Sequence, residues 1–321
     1  MDGGMGTTLE DRGINTRTPI WGSFALLSEK GRTITAAIHR DFVAAGAQIL
    51  IANNHNAFFS ACEEVLELDE LRAFSWPESV AVAAKSKRAS ALHAFLNDEA
   101  LAIARAAAVT PPFGSGHGTT SAPDTPREGI AVATCLGSVE GPYATQSGMS
   151  TDDACGLLER EIAARVATGK ADLFLFETLT TRAEIEGAAR AAHRLRLDNV
   201  AVGVTCGADG HTLGGVDMDA AVAAFAPVDP LAFFVQCTRY DLVVPALERL
   251  VELFGDRCAV GVYANDGRRW DPVRMRWAGE RITSEDYRRC AGEWLAAGAC
   301  IIGGCCGTSP EHVAGLRDLT R

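Results

Sequence analysis

Two adjacent cysteines, Cys305 and Cys306, are the residues with the clearest potential for chemistry. They lie in the stretch GGCCGT at positions 303–308. Neighbouring side chains on a strand point to opposite faces, so adjacent thiols share one metal ion only where the chain leaves the strand and turns. The flanking Gly304 and Gly307 permit such a turn. The pattern favours a metal site at a strand end, and its alternatives are two packed thiols or a redox pair.

A third thiol ligand has to come from the end of another strand. Cys237 and Cys206 each close an apolar, strand-like run, and we favour Cys237, with Cys206 as its rival. Three thiolates leave one coordination position of zinc open for a substrate, whereas four thiolates close the site into a structural one. The cysteine pattern therefore predicts a catalytic zinc ion.

The charge balance and the N-terminal sequence restrict the class of partner. The 321 residues include 30 Lys and Arg against 41 Asp and Glu, a net charge of −11. Phosphate binding needs clustered positive charge, so we expect neither nucleic acid nor an anionic membrane as a partner. The chain has no apolar run of about 18 residues and begins MDGGMGTTLEDRG, without the features of an export signal. We expect a cytoplasmic protein whose ten cysteines stay reduced and whose partner is a small molecule.

Short apolar runs alternate along the chain with longer segments of helical period, a pattern typical of βα units around a parallel sheet. Eight strands are predicted: Met1–Gly4 (a stub), Gln48–Asn53, Ile130–Gly137, Asp172–Glu177, Val200–Cys206, Leu231–Cys237, Ala259–Asn265 and Cys300–Gly304. The helices predicted between them are Thr33–Ala45, Trp76–Ala108, Asp152–Thr168, Thr181–Arg196, Met218–Phe225, Leu242–Phe254, Ser284–Ala297 and Pro310–Leu319.

Eight such units in a chain of this length favour an α/β fold of the (β/α)₈ TIM-barrel type over two doubly wound domains. None of the predicted strands is followed by a phosphate-binding glycine motif, which also argues against a nucleotide-binding sheet. We therefore predict one barrel domain over residues 1–321, with a flexible surface insertion in the Pro- and Gly-rich stretch at 110–128.

In a barrel of this kind the active site lies at the C-terminal ends of the strands, and several predicted strands end in polar residues. Glu177 follows the apolar run LFLF, so a buried carboxylate there needs a substrate ammonium or a neighbouring hydroxyl such as that of Thr178. An ion pair with an arginine in the barrel is the structural alternative. The stretch Asp2-Gly3-Gly4 is either a plain turn or a place where backbone N–H groups bind a carboxylate.

Taken together, the residues resemble the homocysteine S-methyltransferase family, which includes S-methylmethionine-dependent and betaine-dependent enzymes. The resemblance runs nearly end to end and rests on DGGMGTTLEDRG (2–13), AGAQILIANN (45–54), GSVEGPY (137–143), FLFETL (174–179), QCT (236–238), VYANDG (262–267) and AGACIIGGCCGTSPEHV (297–313). It implies a barrel that holds Zn²⁺ through Cys237, Cys305 and Cys306. It also implies an amino-acid thiol bound by Asp2, the backbone of Gly3 and Gly4, and Glu177, and we add Asn265 to the substrate-binding residues.

The resemblance implies a reaction as well. A methyl group passes from a sulfonium donor, S-methylmethionine or S-adenosylmethionine, to homocysteine or a related thiol, with Glu177 and the three cysteines as the catalytic residues. The aromatic candidates for holding the donor's positive charge are Phe58, Phe59, Tyr143 and Trp277. The alternative function is a non-catalytic metal- or thiol-sensing barrel in which Cys305 and Cys306 form a redox pair. Related barrels form homo-oligomers, and no patch in this sequence indicates a particular state.

The chain departs from the family pattern close to the predicted zinc. Phe234 and Gln236 stand where the family usually has Gly and Asn, and Glu140 is an extra residue inside the GS-x-GPYG motif. These changes bear on the acceptor more than on zinc binding. They predict that homocysteine is turned over less well than some other small thiol.

Overall fold

The structure is a computed structural model that describes residues 1–71, 74–109, 129–255, 257–271 and 276–319. The insertion predicted at 110–128 lies outside the described residues. Among the helices that are described, none is long and apolar enough to cross a membrane.

Seven parallel strands form the central sheet, and their sequences are almost continuously apolar because both faces of the sheet are covered. In their spatial order they are β1 (Ile49–Ile51), β2 (Ala131–Leu136), β3 (Leu173–Leu179), β4 (Val200–Val204), β5 (Ala232–Arg239), β6 (Ala259–Asn265) and β9 (Ile301–Gly304). A separate antiparallel hairpin pairs β7 (Arg269–Asp271) with β8 (Arg276–Ala278). All seven strands of the sheet fall within predicted strands or overlap them closely, whereas the hairpin was not predicted.

The N-terminal segment lies between the two edge strands of this sheet, β1 and β9. The Asp2 N–H donates to the carbonyl of Ile49 (3.0 Å), and the carbonyl of Asp2 accepts from the N–H of Gly304 (2.9 Å). The Met1 ammonium group donates to the carbonyl of Ile302 (2.7 Å). The predicted first strand is therefore an extended segment, not a regular strand, but it joins the two edges, and the predicted barrel fold is confirmed.

Eleven α-helices are found in the described part of the chain, most of them between successive strands. They are α1 (Met5–Asp11), α2 (Glu29–Ala45), α3 (Phe59–Glu67), α4 (Glu78–Ala81), α5 (Arg88–Val109), α6 (Thr151–Val166), α7 (Arg182–Arg194), α8 (Met218–Phe225), α9 (Val244–Phe254), α10 (Ser284–Ala296) and α11 (Pro310–Leu316). Several begin at a side-chain cap. Ser28, for example, accepts from the N–H of Gly31 (3.1 Å) and starts α2 four residues before its predicted start.

The prediction of one long helix at Trp76–Ala108 is wrong over the first third of that range. The segment contains the short α4, a 3-10 turn at Lys85–Lys87 and then α5. Val80 is fully buried but Val82 is 76 % exposed, so the apolar face does not continue through this stretch. The helices α1 and α3 were not predicted.

The interior of the barrel is filled by a small cluster of residues that point inward from alternate strand positions. The largest side chains of this cluster are those of Phe234 and Tyr263. Their rings pack edge to face, with their centroids 5.2 Å apart. Gly261 faces them, and a Cβ atom there would lie 2.5 Å from the Phe234 ring. Phe234 therefore occupies space that a glycine on the neighbouring strand β6 leaves open.

Candidate active site

Three cysteines converge at the C-terminal mouth of the barrel. Cys237 lies near the end of β5, and Cys305 and Cys306 follow β9 directly. Their sulfur atoms all lie within 4.8 Å of one another, and the Sγ atoms of Cys237 and Cys306 are 3.6 Å apart. Zinc–sulfur bonds of about 2.3 Å place two sulfurs of a tetrahedral site about 3.8 Å apart, so the three thiols fit one zinc ion and leave its fourth position open.

The rival third ligand, Cys206, is not part of this group. Its thiol is buried and its amide N–H donates to the hydroxyl of Thr238 (2.8 Å). Burial raises the pKa of the Cys206 thiol to about 12, as expected of a thiol that packs in a core.

The end of β6 holds the backbone of all three cysteines. The carbonyl of Ala264 accepts from the Cys305 N–H (2.8 Å), and the Asp266 N–H donates to the carbonyl of Cys306 (2.9 Å). On the other side, Asn265 donates through Nδ2 to the carbonyl of Cys237 (2.8 Å). Asn265 was predicted to bind substrate, but its side chain supports Cys237 and its Oδ1 accepts from the N–H of Gly267 (3.0 Å).

Asp266 is the buried anchor of this arrangement. Its fully buried carboxylate accepts from Nε of Arg268 (2.6 Å) and pairs with Nε of Arg281 (3.3 Å). Gly307, directly after the cysteine pair, has φ +80°, and a Cβ atom there would lie 1.8 Å from Oδ2 of Asp266. Position 307 therefore requires glycine for both its conformation and its space.

A cavity of about 290 Å³ opens above the three cysteines and is lined by them together with Gly3, Gly4, Glu177 and Gln236. Five Trp and Tyr residues complete its wall: Trp21, Tyr143, Tyr263, Trp270 and Trp277. The hydroxyl of Tyr143 lies 3.2 Å from the Sγ atom of Cys237, and the Trp277 ring contacts the rings of Tyr143 (6.2 Å between centroids) and Trp270 (5.4 Å).

Two of the four predicted aromatic residues, Tyr143 and Trp277, therefore reach the cavity. The other two do not line it. The guanidinium of Arg165 lies over the ring of Phe58 (5.8 Å) and that of Arg160 over the ring of Phe59 (4.7 Å). Trp270 was missed because it lies on the unpredicted β7–β8 hairpin.

Glu177 lies on the cavity wall, as predicted. Its Oε2 atom accepts from the thiol of Cys135 and lies 3.2 Å from Nδ1 of His55. The predicted hydroxyl partner, Thr178, instead donates to the backbone carbonyl of Glu177 (2.6 Å). Neither Cys135 nor His55 was predicted to belong to the site. A cysteine inside an apolar run is typical of core packing. His55 could have been found from its position directly after the asparagines at the end of a predicted strand.

Asp2 lies behind the wall instead of on it. Its Oδ2 atom accepts from the N–H of Ile51 (2.7 Å), and its buried Oδ1 atom has no hydrogen-bond partner in the structure as described. Burial, together with the nearby charge of Glu177, raises the pKa of Asp2 to about 8. Gly3 and Gly4 do reach the cavity, although the Gly4 N–H donates to the carbonyl of Thr308 (3.1 Å).

The two departures from the family pattern near the three cysteines have different locations. Phe234 lies in the barrel interior and does not line the cavity, whereas Gln236 does. Oε1 of Gln236 accepts from the N–H of Thr178 (2.8 Å), and Nε2 lies 3.4 Å from the Sγ atom of Cys305. The Gln236 amide therefore links the end of β3 to one of the three thiols.

Comparison with known proteins gives a family match over nearly the whole chain. The sequence matches the family described as Homocysteine S-methyltransferase over residues 1–320. The chain belongs to the homocysteine S-methyltransferase family. The resemblance inferred from the motifs is thereby confirmed, and so is the prediction that the protein is a methyltransferase enzyme.

Relatives from bacteria and plants are similar to this family member over most of their length. The homocysteine S-methyltransferase of Escherichia coli is 27 % identical, with 99 % of this chain and 93 % of the relative covered. Homocysteine S-methyltransferase 3 of Zea mays is 25 % identical, with 98 % and 88 % covered. The crystal structure of the E. coli homocysteine methyltransferase MmuM in its metallated form has the same fold, with a TM-score of 0.74 and 22 % identity over 99 % of this chain and 95 % of that one.

The buried carboxyl of Asp2 generates a prediction about stability and pH. The folded protein keeps this proton up to about pH 8, whereas an unfolded aspartate releases it near 3.8. Between these values the folded state binds more protons, so this group makes the free energy of unfolding fall with rising pH, by roughly 1.4 kcal/mol per pH unit. Asp2→Asn has no such group. Urea denaturation of both proteins at pH 5.5 and 7.5 should therefore show that the free energy of unfolding falls more for the wild type than for Asp2→Asn between these pH values. An equal fall in both proteins would contradict the assignment of the proton to Asp2.

Proposed function

We propose that this family member is a zinc-dependent S-methyltransferase that transfers a methyl group from a sulfonium donor, S-methylmethionine or S-adenosylmethionine, to homocysteine or a related thiol. The observation that carries the proposal is the group of three thiols, Cys237, Cys305 and Cys306, which faces a cavity also lined by Glu177 and by aromatic rings. The relatives' names support homocysteine as the acceptor class.

The three cysteines would hold the zinc ion and leave one position for the acceptor. When bound, zinc lowers the pKa of a coordinated thiol, so that its sulfur stays nucleophilic at neutral pH. The chain fixes the three cysteines that would hold the ion through the backbone contacts at the end of β6 described above, and Nε2 of Gln236 contacts the Sγ atom of Cys305.

Glu177 would bind the ammonium group of an amino-acid acceptor. Its side chain is 6 % exposed, and that exposure faces the cavity. A carboxylate this deeply buried is stabilised by a cationic partner, and an ammonium group supplies one. Asp2, which stays protonated at neutral pH, adds no second negative charge to the acceptor pocket. This arrangement selects a thiol that carries an amino group.

The aromatic residues Tyr143, Trp270 and Trp277 would hold the sulfonium donor beside the acceptor sulfur. A cation over an aromatic face is stabilised by about 0.5–2 kcal/mol. As the acceptor sulfur forms its new bond to the methyl carbon, the donor's bond from sulfur to that carbon breaks and the donor leaves as a neutral thioether. The attraction to the rings ends with the charge, so these residues hold the donor without trapping the product.

We also place the protein in the cytoplasm. All ten cysteines lie in the described part of the chain and all ten are free thiols, which supports a reducing compartment.

Removal of one thiol ligand tests the zinc assignment. We expect protein purified under reducing conditions to hold about one zinc ion per chain, and Cys306→Ser to bind zinc at least about 10-fold more weakly, because a hydroxyl is a poor zinc ligand at neutral pH. Metal content after dialysis against a weak chelator measures this. Cys62→Ser, which changes a buried cysteine of α3 outside the cavity, is the matched control. Full zinc retention by Cys306→Ser would refute the ligand assignment.

Gln236 generates a prediction about acceptor choice. Asn at this position is one methylene shorter and cannot keep both the Thr178 and Cys305 contacts, so it frees space next to the acceptor position. We expect the wild type to use some other small thiol with a higher kcat/KM than homocysteine, and Gln236→Asn to shift that preference toward homocysteine by about 10-fold or more. The measurement is kcat/KM over a thiol panel with S-methylmethionine as donor and equal zinc content. If homocysteine is the best acceptor of the wild type, the specialised-acceptor hypothesis is wrong.

A further inference from the structure

A second group of metal-ligating side chains lies in the same barrel mouth, separate from the three cysteines. It consists of His55, Cys135 and Glu177. Nδ1 of His55 lies 3.2 Å from the Sγ atom of Cys135 and 3.2 Å from Oε2 of Glu177. The thiol of Cys135 donates to the same carboxylate oxygen, so that three different ligand types meet at one point.

Three consecutive parallel strands bring these residues together. His55 follows β1, Cys135 lies near the end of β2, and Glu177 lies near the end of β3. Neighbouring parallel strands end at the same edge of a sheet, which places the three side chains side by side. This convergence depends on the fold and is invisible in the spacing of the sequence.

Contacts to the backbone of Cys135 and to the ring of His55 hold these two residues in place without occupying the Cys135 sulfur or Nδ1 of His55. The Cys135 N–H donates to Oδ1 of Asn54 (3.1 Å), and the Cys135 carbonyl accepts from Nε of the fully buried Arg165 (2.8 Å). The His55 ring meets the ring of Trp21 at 5.8 Å, and a Cβ atom at Gly137 would lie 2.9 Å from its Nε2. Such outer contacts orient the ligands of metal sites in proteins.

The geometry and chemistry of the group suit zinc. Bonds of about 2.0–2.3 Å place two ligand atoms of a tetrahedral zinc site about 3.3–3.7 Å apart, and both distances from His55 lie close to this range. The Cys135 sulfur and the Glu177 oxygen lie closer together than this because a hydrogen bond joins them, and zinc binding would remove that proton and move the two atoms apart. An imidazole nitrogen, a thiolate and a carboxylate favour zinc over the oxygen-seeking Mg²⁺ and Ca²⁺. Zn²⁺ would displace one proton from the Cys135 thiol, and its charge would balance those of the thiolate and Glu177.

We propose that His55, Cys135 and Glu177 form a second zinc site with its fourth position toward the cavity. The side chains of His55 (19 % exposed) and Glu177 line the cavity, while Cys135 is fully buried behind them, so the ion enters from the cavity side. One consequence rests on the proposed function: because Glu177 also binds the acceptor ammonium, a second zinc ion and the acceptor exclude each other. Excess zinc would then inhibit the enzyme at this site.

The test is a Co²⁺ titration of protein already loaded with one equivalent of zinc. Thiolate-to-cobalt charge transfer in the near ultraviolet reports a bound ion with a cysteine ligand, and metal analysis gives the stoichiometry. We expect the wild type and Cys62→Ser to bind one further ion per chain with this signal, and Cys135→Ser to lose the signal. His55→Ala changes a residue on the cavity wall and should lower the affinity for the second ion at least about 10-fold. This variant replaces Cys135→Ser in the test if Cys135→Ser does not fold.

Two results would overturn the proposal: saturation of the wild type at one metal ion per chain, or a second ion bound equally well by His55→Ala. Cys306→Ser separates this proposal from the proposed function. Loss of the first zinc with retention of the second ion is the expected result for that variant. If the first zinc stays as well, the three-cysteine assignment fails and the second site stands.

Discussion

The site depends on one constraint, which is to bring three thiols from two strands within coordination distance of one another. The strands β5 and β9 are not neighbours, because β6 lies between them. The last residues of β6, together with Asp266 directly after it, meet this constraint by binding the backbone of Cys237 on one side and of Cys305 and Cys306 on the other. The buried Asp266 and its arginine partners fix this strand end in turn. A change in the end of β6 would therefore disturb all three thiols at once.

This arrangement places strained backbone at the candidate site, beside the three thiols. Cys237 has φ +48° and Thr178 has φ +59°, a left-handed conformation that costs a residue with a side chain roughly 1–3 kcal/mol. Both positions coincide with irregularities in strand pairing, at the ends of β5 and β3. Hydrogen bonds from Asn265 to Cys237 and from Thr178 to Gln236 hold these conformations. The strain turns the Cys237 thiol toward the other two cysteines, which a regular strand would not do.

Much of the fold follows from local patterns in the sequence, because apolar runs and helical periods are set by burial of whole elements. The same holds for Cys237, Cys305, Cys306 and Glu177, which stand at strand ends where polar residues are conspicuous. Side-chain direction is not local information. Nothing in the sequence separates Cys135, which meets Glu177, from a core cysteine, nor shows that Asn265 supports Cys237 and that Asp2 lies behind the cavity wall. Such roles depend on which strand ends become neighbours in the closed barrel.

Zinc K-edge X-ray absorption tests the central claim, an open three-thiolate site, most directly. Protein loaded with one equivalent of zinc would be measured with and without an amino-acid thiol such as homocysteine. The account predicts three sulfur ligands and one lighter nitrogen or oxygen ligand without the thiol, and four sulfur ligands with it. Four sulfur ligands before the thiol is added, or three that do not change on its addition, would contradict the account.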